Sequence, residues 1–176
     1  MPTVWIWIRL SICALLLNVV AGCGYHLTGT GSSRQLGAEQ SVWVPFFTNE
    51  SISPTAQTVL RRAFYEELHA MRGVRPANSQ SSGDLAIKGR IVSYSSRAVS
   101  YTTLDQAREF SLSLDVELEV AKSGQTSPFW KGQIHGEKQY PANKNLALQH
   151  NAEEQALDAV ARIVAQKFIS ALEESY

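Results

Sequence analysis

From Phe110 to Val120 every second residue is apolar. Phe110, Leu112, Leu114, Val116, Leu118 and Val120 fall on one side, and Ser111, Ser113, Asp115, Glu117 and Glu119 fall on the other. Successive side chains of a strand point to opposite faces, so this segment predicts a strand with one buried and one wet face. Leu85, Ile87, Gly89 and Ile91 alternate in the same way with Ala86, Lys88, Arg90 and Val92, predicting a strand that extends through Tyr94 to Val99. Lys122-Ser123-Gly124-Gln125 reads as a hairpin turn. Beyond it, Trp130, Gly132, Ile134, Gly136, Lys138 and Tyr140 form a third, weaker alternation. A shorter β-rich run, Ser41 to Phe47, contains Pro45, which has no N–H to give and limits pairing inside a sheet.

The period changes to that of a helix in two places. Ala56, Val59, Leu60, Ala63, Phe64, Leu68 and Met71 make one helical face, with Ser53 as expected N-cap, Pro54 at the first helical position and Gly73 as a stop. Arg61, Arg62, Glu66 and Glu67 lie largely off that face. Leu157, Val160, Ala161, Val164, Phe168, Ala171 and Leu172 make a second apolar stripe. Its start is expected at Asn151, with Glu154 in the capping-box position. The Ser-, Asn- and Gln-rich stretch from Ala77 to Gly83 is a loop. The order is strand, helix, three strands, helix, and every element has one apolar face. The economical solution is an α+β two-layer sandwich, with two helices packed on one face of a roughly four-stranded mixed or antiparallel sheet. The other sheet face is left for water or a partner.

The N-terminus is organised differently. Leu10 to Val20 is an apolar run of the length of a signal-peptide core, preceded by the single charge of Arg9. It leads into Val20-Ala21-Gly22-Cys23, which resembles a bacterial lipobox, where the peptide is cut before the cysteine and the thiol carries a diacylglycerol. The alternative is that Val4 to Val20 stays as a membrane span interrupted by Arg9. The expected division is a lipoprotein signal peptide at 1–22, a lipidated Gly-, Ser- and Thr-rich tether at 23–40, and a folded domain at 41–176. Within the tether, Tyr25 and Leu27 alternate and could add a short edge strand.

Charge and cysteine content narrow the chemistry. The 176 residues carry 16 Lys plus Arg against 16 Asp plus Glu, a balance unlike that of a general nucleic-acid binder. Cys13 lies in the leader and Cys23 is the expected lipidation site, so the folded part has neither an internal disulfide nor a thiolate cage for metal. His26, His69, His135 and His150 are scattered without metal-ligand spacing. Asp115, Glu117 and Glu119 share one strand face, which reads as solvated rather than cation-binding. No nucleophile elbow or phosphate-cradling glycine motif is present. The expectation is a protein that is not an enzyme and needs no cofactor.

Three segments carry a resemblance. Cys23-Gly24-Tyr25-His26-Leu27, the Val44-Pro45-Phe46 run with Asn49, and Asn145-Leu146-Ala147-Leu148 are similar to the LptE family of lipopolysaccharide-assembly lipoproteins. The order of strands and helices matches that family as well. The resemblance implies a lipid-anchored protein of the outer membrane, delivered there with Gly24 rather than an acidic residue after the cysteine. It implies two partners: the lumen of an LptD-like β-barrel, and lipopolysaccharide. It also places candidate lipopolysaccharide contacts at Arg108, in the loop from Ser100 to Glu109, and at Lys144 and His150, around the start of the last helix. Lys88, Arg90 and Arg97 on the first long strand form a second candidate set, since cations meet phosphate by charge-assisted hydrogen bonds. Tyr94, Tyr101 and Tyr140 are candidate contacts with the barrel. The competing reading is a free-standing periplasmic lipoprotein that binds a ligand or peptidoglycan through the open sheet face.

Overall fold

A computed structural model describes residues 40–71 and 73–174. The leader, Cys23, and Tyr25 and Leu27 of the tether lie outside the described residues. In chain order the elements are β1 (Gln40–Trp43), β2 (Thr48–Asn49), α1 (Ala56–Ala70), β3 (Val74–Pro76), β4 (Leu85–Tyr101), β5 (Ala107–Lys122), β6 (Trp130–Pro141) and α2 (Leu146–Glu174). The sheet runs β3-β1-β4-β5-β6, with β2 also paired to β4. The three long strands form an antiparallel meander, whereas β1, β2 and β3 pair in parallel. The sheet is therefore mixed, as expected, and larger than four strands by the short β2 and β3. Elements of two or three residues have no periodicity to read.

Both helices cover the same face. A row of aromatic rings joins the layers: Phe47 to Phe64 at 5.2 Å, Phe64 to Phe168 at 5.3 Å, and Phe168 to Trp130 at 5.1 Å. Phe47, Phe64 and Phe168 are fully buried, among Leu60, Ile87, Leu118 and Val164. Two glycines set how closely the layers approach. A Cβ on Gly89 would sit 2.5 Å from Phe47 Cδ1 and 2.7 Å from Leu118 Cδ2. On Gly136 it would meet Val164 Cγ2 at 2.8 Å and the Val160 carbonyl oxygen at 3.1 Å, so α2 lies almost directly on β6.

Pro45 ends β1 as anticipated, and α1 takes over the freed backbone. The Val44 carbonyl accepts from Arg61 Nε at 2.9 Å and from the Tyr65 hydroxyl at 3.1 Å. The helix starts, in contrast, differ from expectation. Helix α1 begins at Ala56 after Thr55, which makes no side-chain cap. Ser53 is consumed upstream in a turn centred on Asn49: its N–H donates to Ser51 Oγ and its carbonyl accepts from Asn49 Nδ2. Helix α2 begins at Leu146, five residues before Asn151. Asn145 is its cap, accepting from the N–H groups of Ala147 at 2.9 Å and Leu148 at 3.4 Å. Glu154 pairs with His150 instead of closing a capping box.

One irregularity decides which side chains share a face. The β4–β5 register shifts between Ile91 and Ser93, so Val92 is a bulge residue. Before it, Leu85, Ile87 and Ile91 turn to the helices. After it, Tyr94, Ser96 and Ala98 do so, opposite Leu114, Leu112 and Phe110. An unbroken alternation would have put Arg97 on the core side. The bulge returns it to the open face with Lys88 and Arg90. That face is a polar ladder: Lys88–Glu119–Lys131, Arg90–Glu117–Gln133 and Ser93–Asp115–His135 lie in rows across the three long strands.

Candidate functional site

The β4–β5 connection is tight and pushes an apolar side chain outward. The Thr102 N–H donates to the Gln106 carbonyl at 2.8 Å, and Thr102 Oγ1 accepts from the N–H groups of Leu104 and Gln106 at 3.3 Å. Asp105 takes the left-handed conformation, with φ of 54°, that closes the turn. Leu104 is left 79% exposed, with Tyr101 and Val99 exposed on the strand below it. The β6–α2 connection reaches the same end of the sheet. The Ala142 N–H donates to the Arg108 carbonyl at 2.9 Å, which carries the β5–β6 ladder past Pro141. From there the chain turns through Lys144 into α2, whose first residues expose Leu146 and Leu148. The large exposed apolar side chains of the described residues are seven, and Val99, Tyr101, Leu104, Leu146 and Leu148 are five of them.

Arg108 and Lys144 therefore come together at this end, although 36 positions separate them in the chain. Arg97 lies nearby on the open face, opposite Ser111. Among the described residues, no ion pair involves Arg97, Arg108 or Lys144. His150 stands one turn further along α2, 3.3 Å from Glu154, and borders a cleft with Ile52, Tyr94 and Glu153 on the helix side.

The rest of the second basic set is elsewhere. Arg90 is held in a clamp, donating to Glu50 at 2.8 and 3.0 Å and to Glu117 at 2.9 Å. Its charge is already met, so it is a poor candidate for an incoming phosphate. Lys88 lies beside it in an open trough with Glu117, Glu119 and Lys131, where both signs are present. The tyrosines also divide. Tyr140 is buried, stacked on Phe110 at 5.6 Å, with its hydroxyl 2.6 Å from Ser96 Oγ. Tyr94 donates to Glu153 at 2.5 Å, and burial, then the carboxylate, push its phenol above the ordinary range. Tyr94 pins α2 to the sheet and Tyr140 ties β6 to β4 and β5, so both hydroxyls are engaged within the fold; Tyr101 alone of the three stands out from it. Leu104 was not picked out from the sequence, and Leu146 and Leu148 entered only as part of the motif carrying the resemblance, not as contacts. The available signal was an apolar residue with no place in any period.

The Arg90 clamp has a pH signature. The hydrogen bond from Arg90 holds the Glu117 carboxyl below its usual value of 4.5, against a smaller opposing effect of burial. A carboxyl whose folded-state pKa is depressed adds stability above its unfolded pKa and loses it as pH falls through the folded one. Denaturant midpoints are expected to fall as pH drops below 4.5, with part of that fall missing in Glu117→Gln. Identical pH curves for the two proteins would contradict the clamp.

The comparisons with known proteins agree with this architecture. The family model described as "LptE: Lipopolysaccharide-assembly" matches residues 39–172. No curated protein sequence matches the chain. Among solved structures, a lipoprotein from Caulobacter crescentus CB15 superposes with a TM-score of 0.53 at 14% identity, covering 73% of this chain and 88% of that one. The rare lipoprotein B from Shewanella oneidensis superposes with a TM-score of 0.52 at 16% identity, covering 73% of this chain and 94% of that one. At such identities these two are likenesses of fold, and it is the family model, spanning β1 to nearly the end of α2, that assigns membership: the chain belongs to the LptE family of lipopolysaccharide-assembly lipoproteins.

Proposed function

We propose that the chain is held at the outer membrane by acyl chains on Cys23, occupies the lumen of an LptD-like β-barrel, and meets lipopolysaccharide with the end formed by the β4–β5 turn and the start of α2. Residues 1–22 are then the removed signal and 23–40 the tether. The observation that carries the reading is that Val99, Tyr101, Leu104, Leu146 and Leu148 are exposed on the segments flanking the β4–β5 turn and the start of α2, the same segments that carry Arg108 and Lys144. Lipopolysaccharide presents acyl chains beside phosphates, and this end offers exposed apolar side chains and cations that form no ion pair among the described residues. The open sheet face suits the second partner. Its rows of alternating charge and hydroxyl are what the polar interior of a transmembrane barrel can satisfy. The protein works by fit, with no chemical step of its own.

In this reading the anchor is lipid, and among the described residues no helix is long and apolar enough to cross a membrane. Acyl chains contribute about 0.8 kcal/mol per buried methylene, and two or more hold a protein stably. Wild type is expected to take up radioactive palmitate and sediment with outer membranes, whereas Cys23→Ala takes up none. In cells depleted of the native protein, wild type restores surface lipopolysaccharide and Cys23→Ala does not. Equal rescue by the two would remove the anchor from the account. Depletion that leaves surface lipopolysaccharide intact would favour the free-standing periplasmic reading.

A further inference from the structure

Among the described residues the sheet ends in β3 on one side and β6 on the other, and the two edges are protected differently. Strand β3 has three residues and closes with Pro76, which has no N–H. Strand β6 has twelve residues and no such break before Pro141. An exposed edge of that length is a template for another strand.

The direction of its backbone groups follows from the register. Arg108 and Ala142 form a hydrogen-bonded pair at 2.9 Å, and such pairs recur at every second residue of an antiparallel ladder. Even-numbered residues from Trp130 to Tyr140 thus direct N–H and C=O to β5. Lys131, Gln133, His135, Glu137 and Gln139 direct theirs outward. Among the described residues, one side chain is hydrogen-bonded to this row. Lys167, from α2, donates its ammonium to the His135 carbonyl at 2.9 Å, at the middle of the edge.

We infer that β6 is a self-pairing edge whose occupant is β6 of a second copy, and that Lys167 is the latch that keeps it single. The choice of a second copy rests on charge complementarity. Antiparallel pairing about a two-fold axis at Ile134 sets Lys131 of each copy opposite Glu137 of the other, and Gln133 opposite His135. Centring the axis on His135 instead sets Lys131 against Gln139 and leaves both charges unmatched. All of these side chains lie on the open face, so neither helix layer obstructs the pairing. Lys167 does compete with it, because its ammonium takes one of the two acceptor positions of the His135 carbonyl and stands at the oxygen that a partner strand's N–H would have to approach.

The test uses the full-length lipoprotein in membranes, with two differently tagged copies expressed together. One carries Gln133→Cys and the other His135→Cys, and the disulfide-linked heterodimer is measured after mild oxidation against copies without added cysteine. In an otherwise native background the link is expected to be scarce. Lys167→Ala, which removes one charge-assisted hydrogen bond competing for the edge, raises it roughly fivefold. Lys167→Arg, which keeps a donor, leaves it at the native level. Adding Lys131→Glu to Lys167→Ala abolishes the rise, and adding Glu137→Lys as well restores it. The inference is overturned if Lys167→Ala leaves the link unchanged, if a Gln133→Cys with Gln139→Cys pair links equally well, or if the cysteines capture a different polypeptide instead.

Discussion

Phe64→Ala will cost about 3–5 kcal/mol of stability, the range for removing a large buried aromatic side chain. Single domains hold only about 5–15 kcal/mol in all, so the variant loses a large share of its margin. The site explains the size of the effect. Phe64 is the middle ring of the row that joins β2's approach, α1, α2 and the start of β6, with Phe47 and Phe168 on either side of it. All three are fully buried, and Phe47 is itself wedged over Gly89. Neighbours held that tightly cannot collapse into the space a ring leaves. Urea denaturation is expected to show a much lower midpoint with an unchanged slope, the mark of lost stability rather than altered compactness. A loss under about 1 kcal/mol would mean that the helices are joined to the sheet elsewhere.

Arg108→Glu combined with Lys144→Glu will weaken lipopolysaccharide binding by roughly a hundredfold. Each lost charge-assisted hydrogen bond to phosphate contributes about 1.5 kcal/mol, and two of them amount to about two decades in affinity. The Ala142–Arg108 backbone bond brings the segments of the two residues to one end of the sheet, where Leu104 and Leu146 are also exposed, so that end can meet phosphate and acyl chain at once. Lys88→Glu is the informative control. It changes net charge by the same amount per residue, in a trough where Glu117, Glu119 and Lys131 already mix the signs. Binding measured with purified lipopolysaccharide should separate the two variants and weaken with added salt in wild type. Equal losses would point to a general charge effect, and no loss in the double variant would remove this end from the reading.

Much of the fold could be read from the chain, because long strands and long helices repeat their signal. The alternation in β5 identified its two faces, with one exception: Ser111 lies on the open face yet is buried. The stripe from Leu157 to Leu172 likewise identified the buried face of α2. Short or singular events carried no such signal. The bulge at Val92 is one residue, yet it decides that Arg97 shares a face with Arg90. Ser53-Pro54 has the composition of a helix start, but Asn49 competes for the Ser53 backbone and wins. Asn151 has the composition of a cap, but Asn145 caps first. The candidate site was legible in part. Arg108 and Lys144 came from the resemblance and Tyr101 from its residue type, and the fold brings their segments to one end. Arg90, Tyr94 and Tyr140 have the right residue types but spend their polar groups internally, and only coordinates distinguish a committed side chain from an available one.

The central claim is that this domain acts inside a larger β-barrel while lipid holds it to the membrane. Affinity purification of the full-length wild type from detergent-extracted membranes, with the bound proteins identified by mass, addresses it directly. The account predicts one large β-barrel outer-membrane protein in near-equal amount, retained through washing. Recovery of the lipoprotein by itself, or with only substoichiometric and variable companions, would contradict it.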